Sequence, residues 1–133
     1  MPPRSARSLL AVGLAAAAAH AGCGGADEGP TPGDRVREAT SAYLRALQHD
    51  RWARACALMT SAARRELGAA GGSCVRALRG GAALPTDQLA SADREVAGAT
   101  VRIRGRTAAI GPLGDFPQPL RLQNLGGRWL IDG

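Results

Sequence analysis

The spacing of apolar residues changes along this chain, and that change constrains the fold more than any other feature of the sequence. Between residues 34 and 79, apolar side chains recur at the three- and four-residue spacing of a helix face. From Thr100 to Arg104 they alternate with polar side chains, as in a half-buried strand. Helices followed by strands predict an α+β domain in which the helices pack on one face of an antiparallel sheet.

Four helical segments are predicted before the strands. Thr31-Pro32-Gly33-Asp34 is typical of a helix start, because it supplies a hydroxyl N-cap, a proline at the first helical position and an acid near the third. We expect Asp50 to cap the second helix. The third is expected to begin at Thr60 and end at Gly68, and Ser73 is expected to cap a last turn or two.

Two hairpins are predicted in the second half, which gives a sheet of about four strands. Residues 100–104 and 107–110 flank Gly105-Arg106, a two-residue turn with glycine first that suits a type II′ geometry. A Gly-Gly turn separates residues 120–125 from residues 128–132 in the same way.

The N-terminal segment is typical of an export signal. Arg4 and Arg7 precede an uncharged apolar run from Leu9 to Ala19, which is well short of the roughly 20 residues that span a bilayer. Residues 1–22 are therefore predicted to be a signal peptide rather than a permanent transmembrane anchor.

Two processing sites are compatible with this signal. Ala21-Gly22-Cys23 resembles the end of a bacterial lipobox, although His20 stands where that pattern has an aliphatic residue. The resemblance implies lipidation of Cys23, with diacylglycerol and palmitate, and localisation at the extracytoplasmic face of the membrane. Residues 23–33 would then form a lipid-anchored flexible linker, and residues 34–133 a single domain. Alternatively, cleavage after Ala21 would release a soluble secreted domain.

The cysteine count favours lipidation, since an exported chain with three cysteines would otherwise leave one unpaired. Cys56 and Cys74 both lie on apolar helix faces, and an oxidising compartment favours a disulfide between them, with reduced core thiols as the alternative. Metal binding is not expected, because His49 is the only histidine beyond the signal.

Charge and aromatic content argue against nucleic-acid binding. All 17 basic residues are arginine, and the two in the signal leave 15 against 11 acidic residues, a net charge of +4 for the mature chain. Nucleic-acid binders interleave such charges with aromatic side chains for stacking, whereas this chain has one Phe, one Tyr and two Trp. Weak attraction to anionic lipid headgroups or wall polymers remains open.

Three stretches of the chain resemble small actinobacterial-type lipoproteins with the nuclear-transport-factor-two-like, or cystatin-like cone, fold. They are SAYLRALQHDRWARACALMT, SCVRAL and GGRWLIDG. This resemblance implies a strongly curved sheet that encloses a cavity with the helices. Members such as ketosteroid isomerase and polyketide cyclases catalyse proton transfer in that cavity.

Catalysis in such a cavity would need a carboxylate base and a neutral hydrogen-bond donor. Asp115, Asp132 and Tyr43 are the available groups, but none has supporting sequence context. A cavity enzyme is therefore the alternative, and we predict no catalytic residue and no cofactor.

A non-catalytic binding module is the favoured interpretation. The side chains expected to line a cavity for a small apolar ligand are Tyr43, Trp52, Ile103, Trp129 and Ile131. Another possibility is that the sheet face or rim, with Arg102 and Arg104 exposed along it, docks an envelope protein or a second copy of the chain.

Overall fold

Residues 29–133 are described by the structure, which is a computed structural model. Its helices are α1 (Pro32–Gln48), α2 (Trp52–Ala57), α3 (Ser61–Gly71), α4 (Cys74–Ala77) and α5 (Thr86–Glu95). Its strands are β1 (Thr100–Arg104), β2 (Thr107–Gly111), β3 (Leu120–Leu125) and β4 (Arg128–Ile131). The predicted α+β class is confirmed, with helices first and a four-stranded antiparallel sheet after them.

The predicted start of α1 is confirmed by a complete capping box. The Thr31 hydroxyl accepts a hydrogen bond from the Asp34 backbone N–H at 3.1 Å, and the Asp34 carboxylate accepts one from the Thr31 backbone N–H at 3.0 Å. The Thr31 hydroxyl also donates to the Asp34 carboxylate at 2.7 Å, and this bond, together with the one from the Thr31 backbone N–H, lowers the pKa of Asp34 below its ordinary value. Because the box satisfies backbone donors that the first turn leaves open, α1 begins at a defined residue.

The expectation that Asp50 caps α2 is wrong. Asp50 lies in the turn between α1 and α2 with φ of 55°, and α2 has no side-chain cap. The Arg51 N–H donates to the Ala46 carbonyl at 2.8 Å, which closes this tight turn. Aspartate is one of the few residues that tolerates the left-handed conformation, so Asp50 reverses the chain rather than starting the helix.

The expectation that α3 ends at Gly68 is also wrong, since the helix continues to Gly71 and is capped by Gly72, whose φ is 81°. A Cβ on Gly68 would lie 3.2 Å from the backbone nitrogen of Cys74, and one on Gly71 would lie 2.9 Å from Ala77. Both glycines therefore permit α3 to pack closely against α4. A rule based on local sequence cannot distinguish a glycine in such a contact from a glycine that ends a helix.

Helix α5 is an element that the spacing analysis does not predict. The Ser73 hydroxyl caps α4 as expected, by accepting from the Arg76 N–H at 3.1 Å, and a π-helical turn then leads towards α5. Within α5 only Leu89 and Ala92 are buried, so its apolar face is too short to give a strong periodic signal. The helix packs along α1, where Arg45 bonds to Asp93 at 3.0 Å.

The sheet is an open meander with the strand order β1-β2-β3-β4, which confirms both predicted hairpins. Gly105 has φ of 58° while Arg106 has no positive φ, as a type II′ turn requires. Gly126 and Gly127 both have positive φ, as in a type I′ turn. The register pairs Ala108 with Leu122.

The hydrophobic core lies between α1 and one face of the sheet. Its fully buried large side chains come from both layers and include Val36, Leu44, Leu89, Ile110, Leu113, Leu122 and Ile131. Burial of side chains of this size contributes roughly 1.5–3 kcal/mol each, so this shared core holds the helices and the sheet together.

The free edge of β4 is covered by the short connection between α2 and α3. The Ile131 N–H donates to the Leu58 carbonyl at 2.9 Å, and the Thr60 N–H donates to the Ile131 carbonyl at 2.8 Å. The Thr60 hydroxyl also donates to the Asp132 carboxylate at 2.7 Å. The connection therefore ties the helical half of the chain to its last strand.

Within residues 29–133, none of the helices has both the length and the apolar character needed to cross a membrane.

Candidate functional site

The disulfide between Cys56 and Cys74 is confirmed. The two sulfur atoms are 2.00 Å apart, and the bond joins α2 to the first residue of α4 across a sequence separation of 18 residues. Both cysteines are buried, so this bond is a structural link and neither sulfur is a free nucleophile. Cys23 lies outside the described residues, and its lipidation stays a prediction.

The five residues expected to line a cavity lie in different surroundings. Tyr43, Trp129 and Ile131 are buried in the shared core, and Trp52 packs against that core from its edge. Ile103 is 37% exposed on β1. Burial raises the pKa of Tyr43, so its hydroxyl is un-ionised at neutral pH. That these side chains line a ligand cavity stays a prediction.

The groups considered for proton transfer are not gathered in one place. Asp115 is exposed in the loop between β2 and β3, while Tyr43 is in the core beneath the helices. Asp132 follows Ile131 on β4 and points to the other side of the sheet, where its carboxylate accepts the Thr60 hydroxyl. The sheet thus separates Asp132 from Tyr43.

The side of the sheet that faces away from the helices carries a concentration of arginine. Because side chains alternate along a strand, the residues next to the buried positions of each strand point to this side. We call this surface the outer face, and its charged residues are Arg102, Arg104, Arg121, Arg128 and Asp132. Among the described residues, the outer face therefore carries four positive charges and one negative charge.

These four arginines have no partner of their own in the described part of the chain. Their guanidinium groups take part in no ion pair and no hydrogen bond there. Both ion pairs in that part of the chain, Arg37–Asp34 and Arg45–Asp93, belong to the helical layer. The guanidinium groups of the outer face are therefore free to bind an anionic group from outside.

A groove runs along β2 on the outer face. Its volume is about 420 Å³, and its lining includes Arg102, Arg104, Thr107, Ala109, Arg121 and Asp132. A depression of about 390 Å³ adjoins it and shares Arg102 and Ala109 with it, while Phe116 and Pro119 form part of the far wall. Small side chains on β2 form the floor, and longer ones on β1 and β3 form the walls.

The chemistry of this groove suits carboxylate or phosphate groups. Guanidinium groups bind both in bidentate fashion, with two parallel N–H···O hydrogen bonds. Among residues 29–133, no aromatic side chain lines the larger part of the groove, so that part of the chain supplies no stacking surface there of the kind that single-stranded nucleic acid uses. Over residues 29–133, no group of three or more His, Cys, Asp or Glu side chains is arranged to hold a metal ion.

The sequence indicates only part of this surface. Alternation along β1 places Arg102 and Arg104 on one side of the strand, as expected, whereas Arg121 and Arg128 join them only through the β2–β3 and β3–β4 registers. The signal that could have identified Arg121 is the alternation of Leu120, Arg121 and Leu122.

Comparison with known proteins returned no match to any protein-family model, curated protein or solved structure.

Proposed function

We propose that this protein is an exported, lipid-anchored module of the cell envelope that binds an anionic partner without catalysing a reaction. The observation that carries the proposal is the outer face of the sheet, where Arg102, Arg104 and Arg121 line a groove that no helix of residues 29–133 covers. An uncompensated cluster of one charge at a concave surface attracts ligands of the opposite charge and speeds their association.

The attachment to the envelope is supported by the N-terminal sequence. Export through residues 1–22, lipidation of Cys23 and a Gly- and Pro-containing linker up to residue 30, just before the cap of α1, would hold the domain close to the membrane. The linker residues 24–30 reach at most about 25 Å when extended. Cleavage after Ala21 is the alternative, in which case the same binding domain would be secreted.

A cone of the nuclear-transport-factor-two-like type is the finer fold that we propose. Its support is the order of helices before a single antiparallel meander, together with the three sequence stretches that resemble that family. The separation of Asp132 from Tyr43 by the sheet favours binding over proton transfer in this domain.

The binding proposal is tested by titrating the purified protein with poly-L-glutamate, an acidic chain without ordered structure at neutral pH. We expect binding that weakens as salt is added, because the arginines are exposed and screened. Replacing Arg102 and Arg121 by glutamine should weaken binding roughly five- to thirty-fold, which corresponds to about 1–2 kcal/mol for two exposed charge contacts.

The matched control replaces Arg54 and Arg65, two exposed arginines of the helical layer, by glutamine. This variant loses the same net charge from the helical layer and should keep its affinity for poly-L-glutamate within about two-fold. Equal losses in both variants would show that only net charge matters, and the outer face would not be the site.

The anchor is tested separately by the intact mass of the protein from the membrane fraction. We expect a mature chain that begins at Cys23 with added acyl mass, and release of the Cys23→Ser variant from the membrane. A mass that matches a chain beginning at Gly22, with no lipid, would support secretion instead.

A further inference from the structure

Strand β1 has an edge that is open for pairing. A two-residue turn joins β1 to β2, so Arg104 and Thr107 form the hydrogen-bonded pair that closes the hairpin. Hydrogen-bonded and non-hydrogen-bonded pairs alternate in an antiparallel ladder, which makes Arg102 and Ala109 the next bonded pair. The backbone N–H and C=O groups of Val101 and Ile103 therefore point away from β2, towards the free edge.

The two edges of the sheet differ in their backbone hydrogen bonding. The connection Leu58–Thr60 bonds to Ile131 and covers the edge of β4. Over residues 29–133, no backbone hydrogen bond reaches the free edge of β1. An open row of backbone donors and acceptors is a template for another strand.

The side chains of β1 form a regular pattern along that edge. Arg102 and Arg104 project on the outer face, while Val101 and Ile103 lie on the side of the core. Ile103 is one of two large apolar side chains that are exposed in the described residues. A strand that paired here would meet alternating positive and apolar positions.

We propose that an extended segment of a partner protein adds to β1 as a further strand, with acidic residues at alternate positions and an apolar residue between them. Its acidic side chains would lie beside Arg102 and Arg104, and its apolar side chain would cover Ile103. Main-chain hydrogen bonds give such a complex its affinity, and alternate side chains give it specificity. The inference rests on the proposed function, since it names the anionic partner of the outer face.

A second copy of the chain is a poor occupant of this edge. Antiparallel pairing of β1 with itself would place Arg102 and Arg104 beside the same arginines of the other copy, and like charges on adjacent strands destabilise a sheet. The linker residues 24–30 are also poorly matched, because they contain no large apolar side chain to cover Ile103. Charge complementarity therefore favours an acidic strand from another protein.

The test uses the full-length protein in mild detergent and the peptide TEVEVET, blocked at both ends. Its matched control has the same sequence with N-methyl groups on both valines, whose N–H groups would face the edge of β1 in this register, so it keeps the charge but cannot form those strand hydrogen bonds. We expect TEVEVET to bind about ten-fold or more tightly than the N-methylated peptide, because backbone hydrogen bonds supply the affinity.

A backbone variant of the protein gives an independent readout. Ile103→Pro removes an N–H that points to the free edge and leaves the ladder with β2 complete, and proline is tolerated at such edge positions. We expect this variant to bind TEVEVET no better than it binds the N-methylated peptide, and to keep the affinity of the unchanged protein for poly-L-glutamate.

A charge reversal covers the case in which Ile103→Pro fails to fold. The double variant Arg102→Glu and Arg104→Glu should lose TEVEVET and gain binding to the basic peptide TKVKVKT. Because this result is a gain of affinity for a new peptide, misfolding cannot produce it.

Each outcome separates this inference from the proposed function. Equal affinity for TEVEVET and its N-methylated form would overturn strand addition, while binding to poly-L-glutamate would leave the anionic outer face standing. Failure to bind either probe would overturn both. A dimer that dissociates when Ile103 is replaced by proline would show that a second copy occupies the edge, and would refute the acidic strand.

Discussion

Opening the Cys56–Cys74 disulfide tests how much of the stability of this domain comes from a covalent restraint on the unfolded chain. The bond spans 18 residues. Closing a loop of this size reduces the entropy of the unfolded state by an amount worth about 3 kcal/mol. Small domains have total free energies of unfolding of roughly 5–15 kcal/mol, so the loss is a large share. For a domain of about 100 residues it corresponds to a fall in Tm of roughly 12–24 °C.

The measurement is urea unfolding followed by far-ultraviolet circular dichroism, on protein carrying Cys23→Ser so that only the buried pair can form a disulfide. Oxidised protein, reduced protein and the Cys56→Ala/Cys74→Ala variant are compared. We expect the free energy of unfolding to fall by about 3 kcal/mol on reduction. The dependence on urea should also steepen, because an unlinked unfolded chain exposes more surface.

The reduced protein is the decisive sample, because it keeps both sulfur atoms. The alanine variant also loses the packing of Cys74 against the Met59 sulfur at 3.8 Å, so it should be at least as unstable. A reduced protein whose free energy of unfolding lies within about 1 kcal/mol of the oxidised form would refute the entropic reasoning.

Three further predictions concern single positions. Thr60→Ala should cost about 1–2 kcal/mol in urea unfolding, because Thr60 caps α3 and also bonds to Asp132, whereas Thr60→Ser should retain most of the stability. Gly71→Ala should cost about 1–3 kcal/mol because its Cβ would lie 2.9 Å from neighbouring atoms, while Gly98→Ala, with nothing within 4 Å, should change stability by less than about 0.5 kcal/mol. Burial raises the pKa of Tyr43, so the contribution of Tyr43 to stability should be constant below pH 10.0 and fall above it as the unfolded form ionises first, and Tyr43→Phe should abolish that alkaline fall.

Each of these predictions has an outcome that contradicts it. Equal losses for Thr60→Ala and Thr60→Ser would show that the hydroxyl is not the stabilising group. Equal effects at Gly71 and Gly98 would remove the close-approach argument for α3. An alkaline loss of stability that persists in Tyr43→Phe would assign the titration to another group, although this chain has no lysine and no other tyrosine.

Local signals in the sequence predict the elements whose geometry is set within a few residues. The capping box at Thr31 and the glycine turns of both hairpins are of this kind, since the required φ angles or hydrogen bonds involve only near neighbours. The predictions at Asp50 and Gly68 are wrong for the opposite reason. Asp50 is compatible with both a helix cap and a left-handed turn, and Gly68 is compatible with both a helix end and a close contact with α4. In each case only the tertiary structure shows which of the two is formed.

The candidate site is less visible because it is assembled across strands. The residues Arg102 and Arg104 are recognisable from alternation within β1, but Arg121 reaches the same groove only through pairing of β3 with β2, across a loop of irregular sequence. Helix α5 is hidden in a similar way, because its stability depends on contact with α1 rather than on a long apolar face of its own.

The bond between the Leu58–Thr60 connection and Ile131 also sets the order in which this domain can be completed during synthesis. Ribosomes release the helices first and the strand β4 last. The connection has no strand to hold until Ile131 follows, 71 residues behind Thr60. A nascent chain stalled before β4 should therefore be readily cleaved by protease at this connection, and the finished chain should resist it.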